Sequence, residues 1–122
     1  MPSIFNTDNE NKAFIITLGG YAATESASSF VDNLKAEVAK INPSNYSLIV
    51  DSYELRTFKP AILPTLEISY GLYMSLGFKK TLMVKPNRVT PRLQLRRIAK
   101  KVNFTGEFID GLNTALNISR HS

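Results

Sequence analysis

The chain has 122 residues, 43% hydrophobic and 20% charged, with a formal net charge of +5. That length fits one domain of ordinary size, which can bury a real core without staples. It holds no cysteine, which excludes disulfides, thiolate nucleophiles, zinc–thiolate sites and iron–sulfur clusters and suits a reducing compartment. No apolar run approaches the roughly 20 residues of a membrane span. The start, MPSIFNTDNENK, lacks the charged head and apolar middle of a signal peptide. The expectation is a cytoplasmic protein of one domain, residues 1–122, with 1–12 as an edge strand or loose start and 119–122 as a frayed tail.

AFIITLGG (13–20) is a β-rich apolar run ended by Gly19 and Gly20, and predicts a strand from Ala13 to Leu18. The preceding SIF is expected to pair with it antiparallel across the turn-forming DNEN. Next, TESASSFVDNLKAEVAKI reads as a helix. Ala27, Phe30, Val31, Leu34, Val38 and Ile41 recur every three or four residues, Thr24 is the candidate N-cap, and Asn42-Pro43 is the stop. YSLIVDS (46–52) carries Leu48, Ile49 and Val50 in succession, as a strand covered on both faces does.

A second helix is expected from near Pro64 to Gly77. It is mostly apolar and so well buried, with Gly71 allowing close packing. KKTLMVK (79–85) predicts a strand, PRLQLRRIAKKV (91–102) a helix, and GEFID (106–110) a short strand or extended piece. Asp110 is the candidate cap of a last helix through Leu112, Ala115 and Leu116. This alternation predicts βαβ units, a mainly parallel sheet and right-handed crossovers.

Chemistry-bearing residues are sparse. The one histidine, His121, is next to the last residue, so Ser-His-Asp and Cys-His catalysis lack a base. No His, Cys and carboxylate cluster has metal-ligand spacing, and no cofactor is expected. GGYAATES matches neither GxGxxG nor GxxxxGK[ST], so its glycines fit a tight turn better than a phosphate loop. The strand carboxyl ends, where ligands of parallel sheets bind, supply Gly20 and Tyr21, Asp51 and Ser52, and Lys85, Pro86 and Asn87. Asp51 with Lys85 is open to three readings: an acid–base pair, a structural ion pair, or two groups that never meet.

AFIITLGGYAATESASSFVDNLKAEV resembles the start of a STAS domain, the fold of bacterial anti-sigma factor antagonists. SLIVDSYELRTF resembles the family's second core strand and following loop, with Asp51 at its usual aspartate. TLMVKPNRVTPRLQLRRIAKKVNFTGEFIDGLNTAL resembles its closing strand and helices. The resemblance is one of pattern and order, from about residue 13 to 118. It implies a STAS-like α/β domain with a small, mixed, mostly parallel sheet and helices packed mainly on one face. It also implies a non-enzymatic regulatory protein–protein interaction module of the antagonist type. Family members that act as switches carry Asp-Ser-Ser/Thr-Gly before the second helix. Counting on from Asp51 puts Lys59, Pro60, Ala61 and Ile62 there, without a hydroxyl. The resemblance thus implies a partner-binding segment at Lys59, Pro60, Ala61 and Ile62, but not the usual phosphoserine switch.

Charge is unevenly spread. Residues 1–54 carry seven acids and three bases (−4), and residues 55–122 carry three acids and twelve bases (+9). From Lys79 to Lys101 there are nine bases and no acid. At 100° per residue, Leu95, Ile98, Ala99 and Val102 share one arc of the 91–102 helix. Arg92, Arg96, Arg97, Lys100 and Lys101 fill the opposite half, with Leu93 the outlier. The charges are first the wet face of an amphipathic helix. The missing acids leave room for an anionic partner: an acidic protein, a nucleic-acid backbone or an anionic lipid. The candidate patch is Arg88, Arg92, Arg96, Arg97, Lys100 and Lys101. No aromatic lies between Lys79 and Lys101, so base reading is not expected. Three functions are therefore carried forward: the interaction module, a binder of an anionic ligand or nucleic-acid backbone through 85–101, and a small enzyme at the strand ends.

Overall fold

The computed structural model describes residues 3–18, 27–55 and 63–121. In chain order these form β1 (Ser3–Asp8), β2 (Ala13–Leu18), α1 (Ala27–Val38), a 3₁₀ turn (Pro43–Asn45), β3 (Ser47–Asp51), α2 (Leu63–Ser75), β4 (Thr81–Val84), α3 (Val89–Lys101), β5 (Glu107–Ile109) and α4 (Leu112–Arg120). The strands form one sheet in the order β1-β2-β3-β4-β5. β1 runs antiparallel to β2, and every other neighbouring pair is parallel.

The N-terminal hairpin is the one the sequence predicts, with Ser3 opposite Leu18 and Asp8 opposite Ala13. Its turn is closed by the Asp8 carboxylate, which accepts hydrogen bonds from Asn11 N at 3.0 Å and Asn11 Nδ2 at 2.8 Å. The bond from the Asn11 side chain, more than that from its backbone, holds the Asp8 carboxyl below its ordinary pKa. Lys12 completes the turn at φ 54°.

The strand order decides where the helices go. Each parallel connection, β2-α1-β3, β3-α2-β4 and β4-α3-β5, steps to the next strand in the same direction. Right-handed crossovers therefore put all three helices on one face. Period-two alternation sends Phe14, Ile16, Leu48, Val50 and Met83 to that face, against Leu34 and Val38 of α1, Tyr70 and Tyr73 of α2, and Leu95 and Ile98 of α3. The intervening residues Ala13, Ile15, Ile49, Leu82 and Val84 form a second cluster with Ala115 of α4. With both faces covered, the apolar run Leu48-Ile49-Val50 is explained. α4 is fastened across the sheet by Ser119 Oγ, which donates to the Lys12 carbonyl at 2.8 Å.

Several boundaries differ from the sequence reading. α1 ends at Val38 instead of running through Ile41 to the Asn42-Pro43 stop. Lys40 N and Ile41 N donate to Glu37 O and Val38 O in tighter i→i−3 bonds, and the Asn42 side chain then accepts from Ser44 N to open the 3₁₀ turn at Pro43. The Thr24 cap lies outside the described residues, as do the side chains of Ala27 and Phe30. α3 begins at Val89, two residues before Pro91. α2 is not buried all round: Leu66, Tyr70 and Tyr73 face the core, while Ile68 is 56% exposed. Gly71 is not a close-packing site either, since a Cβ there would meet nothing within 4 Å among the described residues. Gly77, at φ +87°, sits in the left-handed region that glycine adopts most readily, just past the end of α2.

Asp110 does not cap α4. The N-cap is Gly111, with no side-chain cap bond. The Asp110 carboxylate is drawn elsewhere, accepting from Lys85 Nζ at 3.0 Å. The ladder accounts for this: Val84 pairs with Ile109 and Lys85 N donates to Ile109 O, so Lys85 and Asp110 stand as the next lateral pair.

Candidate functional site

The strand ends do not assemble the acid–base pair that the sequence left open. Asp51 shares its sheet face with Ile49, and Lys85 shares the opposite face with Met83. Asp51 Oδ1 accepts from Tyr53 N at 3.1 Å, and Lys85 turns to Asp110. Of the three readings, the one in which they never meet describes the geometry. The strand order also never reverses, so the sheet lacks the switch-point crevice in which open α/β sheets hold ligands. Ser52 is buried, its hydroxyl donating to Met83 Sδ at 3.6 Å. Gly19, Gly20 and Tyr21 lie outside the described residues, as does the predicted partner segment Lys59, Pro60, Ala61 and Ile62.

Other catalytic candidates are few. His121 is the exposed C-cap of α4. Among the described residues no group of three His, Cys, Asp or Glu could hold a metal ion. Burial pushes the Tyr70 and Tyr73 phenols well above their ordinary pKa, which takes both away from base chemistry near neutral pH. No helix among the described residues is long and apolar enough to cross a membrane.

The basic segment divides into parts with different surroundings. Leu95, Ile98 and Ala99 are the inner face of α3, as the helical arc predicts; Val102 packs at its margin, and Leu93 is exposed. Arg88 is the N-cap of α3 and makes no side-chain cap bond. Lys101 donates to Glu67 of α2 at 3.1 Å, a surface pair of the kind worth about 0–1 kcal/mol. Arg97 and Lys100 are exposed on the outer face. Arg92 and Arg96, one turn apart, lie on the flank of α3 away from Glu67.

That flank borders a cleft of about 220 Å³ lined by Lys85, Arg92, Arg96 and Phe108. Arg92 is half-buried, and its Nε donates to the Pro86 carbonyl at 3.3 Å, which fixes the guanidinium at the cleft wall. Lys85 arrives two residues after Met83 on the same sheet face, and Phe108 is the register partner of Met83. Neither Lys85 nor Phe108 stands in the sequence-derived patch. Their grouping with Arg92 and Arg96 depends on strand register, which spacing within the basic segment does not carry.

Comparison with known protein-family profiles finds no match, and neither does a search of curated proteins. Solved structures do match. An anti-sigma factor antagonist from Mycobacterium paratuberculosis superposes with a TM-score of 0.63 at 15% identity, over 97% of this chain and 92% of its own. An uncharacterized protein of the DUF3478 family with a SpoIIAA-like fold, from Shewanella loihica PV-4, gives a TM-score of 0.63 at 15% identity, over 95% of this chain and 90% of its own. With a five-stranded, mostly parallel sheet and three helices on one face, the chain has the STAS-like fold of these anti-sigma factor antagonist and SpoIIAA-like neighbours.

Proposed function

We propose that this protein is a non-enzymatic regulatory interaction module of the anti-sigma factor antagonist type that works without the usual phosphoserine switch. The observation that carries the reading is a pair of exposed apolar residues, one after β3 and one at the start of α3. Tyr53, just before that segment, is 43% exposed, and Val89, at the start of α3, is 66% exposed. The two strand-to-helix loops are tied together by Asn87 N donating to Tyr53 O at 3.0 Å. Isolated exposed apolar residues are ordinary, but two held close by a backbone bond between the β3–α2 and β4–α3 connections suit a protein partner. The switch in this family works because a phosphate adds nearly two negative charges at a helix N-terminus within the partner interface. By the count from Asp51, this sequence has Lys59, a fixed positive charge, at the position where the switch motif begins.

The test has two parts. Incubation with candidate kinases and ATP, followed by mass spectrometry, is expected to leave residues 57–65 unmodified; stoichiometric phosphate there overturns the unswitched reading. Partners captured from the source cell are expected to be lost at least ten-fold by Ile62→Asp and Tyr53→Asp, and retained by Arg97→Gln. Equal retention by all of these variants overturns the interface.

A second reading is a binder of polyanions, including nucleic-acid backbone, through residues 85–101. It is supported by Arg88, Arg97 and Lys100, which are exposed with no ion pair among the described residues. Binding to a mixed-sequence oligonucleotide would then be sequence-independent and fall steeply between about 50 and 200 mM salt. Affinity that is absent at low salt, or unaffected by salt, removes this reading.

A further inference from the structure

We infer that the cleft between α3 and the carboxyl ends of β4 and β5 is a binding site for a small phosphate monoester. Lys85, Arg92 and Arg96 hold the phosphate, and Phe108 packs against the apolar or aromatic body of the ligand. The proposal rests on neither reading of the macromolecular partner.

The charge arithmetic favours a dianion. Three cations border the cleft, and one carboxylate, Asp110, is paired to them. The surplus is two positive charges, and a phosphate monoester carries about −1.5 to −2 at neutral pH. Asp110 is a weak competitor: its side chain is 91% exposed, so its pair with Lys85 is solvent-screened and readily exchanged. The Arg96 side chain makes no ion pair or hydrogen bond among the described residues, so its guanidinium donors are available. Arg92 spends Nε on the Pro86 carbonyl and keeps its terminal nitrogens. Two planar guanidinium groups and one ammonium suit the several acceptor oxygens of a tetrahedral phosphate. The first turn of α3 holds no acid, so nothing on that turn offsets the positive end of the helix dipole.

Size and wall chemistry narrow the ligand further. At about 220 Å³ the cleft is smaller than the roughly 300–1,000 Å³ of sites for drug-sized ligands. It therefore takes a phosphate and one small group. That group meets Phe108, a half-buried ring held edge-on by Phe104 at 6.0 Å between centroids. An aromatic or apolar substituent gains from that wall, and a hydrophilic one does not.

Calorimetric titration with phenyl phosphate and methyl phosphate at constant ionic strength tests the site. Phenyl phosphate is expected to bind saturably, with one site and at least five-fold tighter than methyl phosphate. Arg96→Gln and Arg92→Gln should each weaken it ten-fold or more, whereas Arg97→Gln and Lys100→Gln, equal in charge lost but outside the cleft, should change it less than two-fold. Arg96 is exposed, so its variant keeps the readout if Arg92→Gln disturbs folding. Equal losses in all four variants would reduce the effect to a diffuse positive field and overturn the site. So would the absence of saturable binding, or binding only to vesicles that contain phosphatidic acid. Equal affinity for the two esters would remove Phe108 from the proposal.

Discussion

Phe14→Ala is expected to lower the free energy of unfolding by about 3–5 kcal/mol. Phe14 is 1% exposed in the second strand from the sheet edge. Its ring stacks between Phe5, at 6.2 Å, and Phe78, at 5.8 Å between centroids. Truncation removes the middle of that three-ring row. The hole closes poorly, because Phe14 sits on a strand hydrogen-bonded on both sides, to β1 and β3, and the backbone cannot move in to fill it. The loss is a large share of the roughly 5–15 kcal/mol that typically separates folded from unfolded protein. Urea unfolding should show a lower midpoint at unchanged m value. Ile68→Ala, at a site on the exposed side of α2, is the control and should move stability by less than about 0.5 kcal/mol. A Phe14→Ala loss no larger than that of Ile68→Ala would contradict the assigned core.

Gly106→Ala is expected to destabilise by about 1–3 kcal/mol through overpacking, and to do so with a single methyl group. A Cβ at Gly106 would lie 2.6 Å from the Thr81 carbonyl oxygen and would run into Phe104 Cζ. Thr81 opens β4, a central strand whose carbonyl is backbone and cannot turn aside. Phe104 has little room to yield, with Tyr70 at 4.9 Å and Phe108 at 6.0 Å between centroids. The reason for glycine here is close approach, and the contrast within the chain is sharp. At Gly71 the same added methyl meets nothing among the described residues, so Gly71→Ala should not destabilise. Thermal and urea denaturation of the two variants side by side distinguish them. Equal, small effects would show that the Gly106 turn adapts freely. Because Phe108 also walls the proposed phosphate cleft, Gly106→Ala should weaken phenyl phosphate binding as well.

Element type and order were legible because they are local. The apolar runs at 13–18, 47–51 and 81–84 are short, rich in β-branched residues and bounded by turns, which fits strands covered on both faces, and the three-and-four spacing of Leu34 with Val38, or Leu95 with Ile98, is one face of a helix. Where local competition is close, the reading slipped. The Asn42-Pro43 stop predicts a helix through Ile41, but after Val38 the last turn tightens to i→i−3 bonds. Asp110 carries the right chemistry for an N-cap, yet a cation two strand positions beyond Met83 claims its carboxylate. Periodicity likewise could not tell that α2 leaves Ile68 in solvent, since its apolar residues encircle the helix.

By itself, the sequence determined the strand and helix alternation, the two-sided burial of the central strands, the inner face of α3, and the poverty of catalytic groups. All of these depend on residues within a few positions of each other, or on composition. It also carried the resemblance to STAS domains, through pattern and order. Only the tertiary structure decided the rest. The unreversed strand order puts three helices on one face and removes a switch-point crevice. Strand alternation parts Asp51 from Lys85, and strand register gives Lys85 to Asp110. The same register brings Lys85 and Phe108 beside Arg92 and Arg96, turning two members of a solvent-facing charge run into the wall of a cleft. The physical reason is common to all of these: lateral neighbours in a sheet are set by pairing between segments far apart in the chain, and no spacing within one segment records which partner lies alongside.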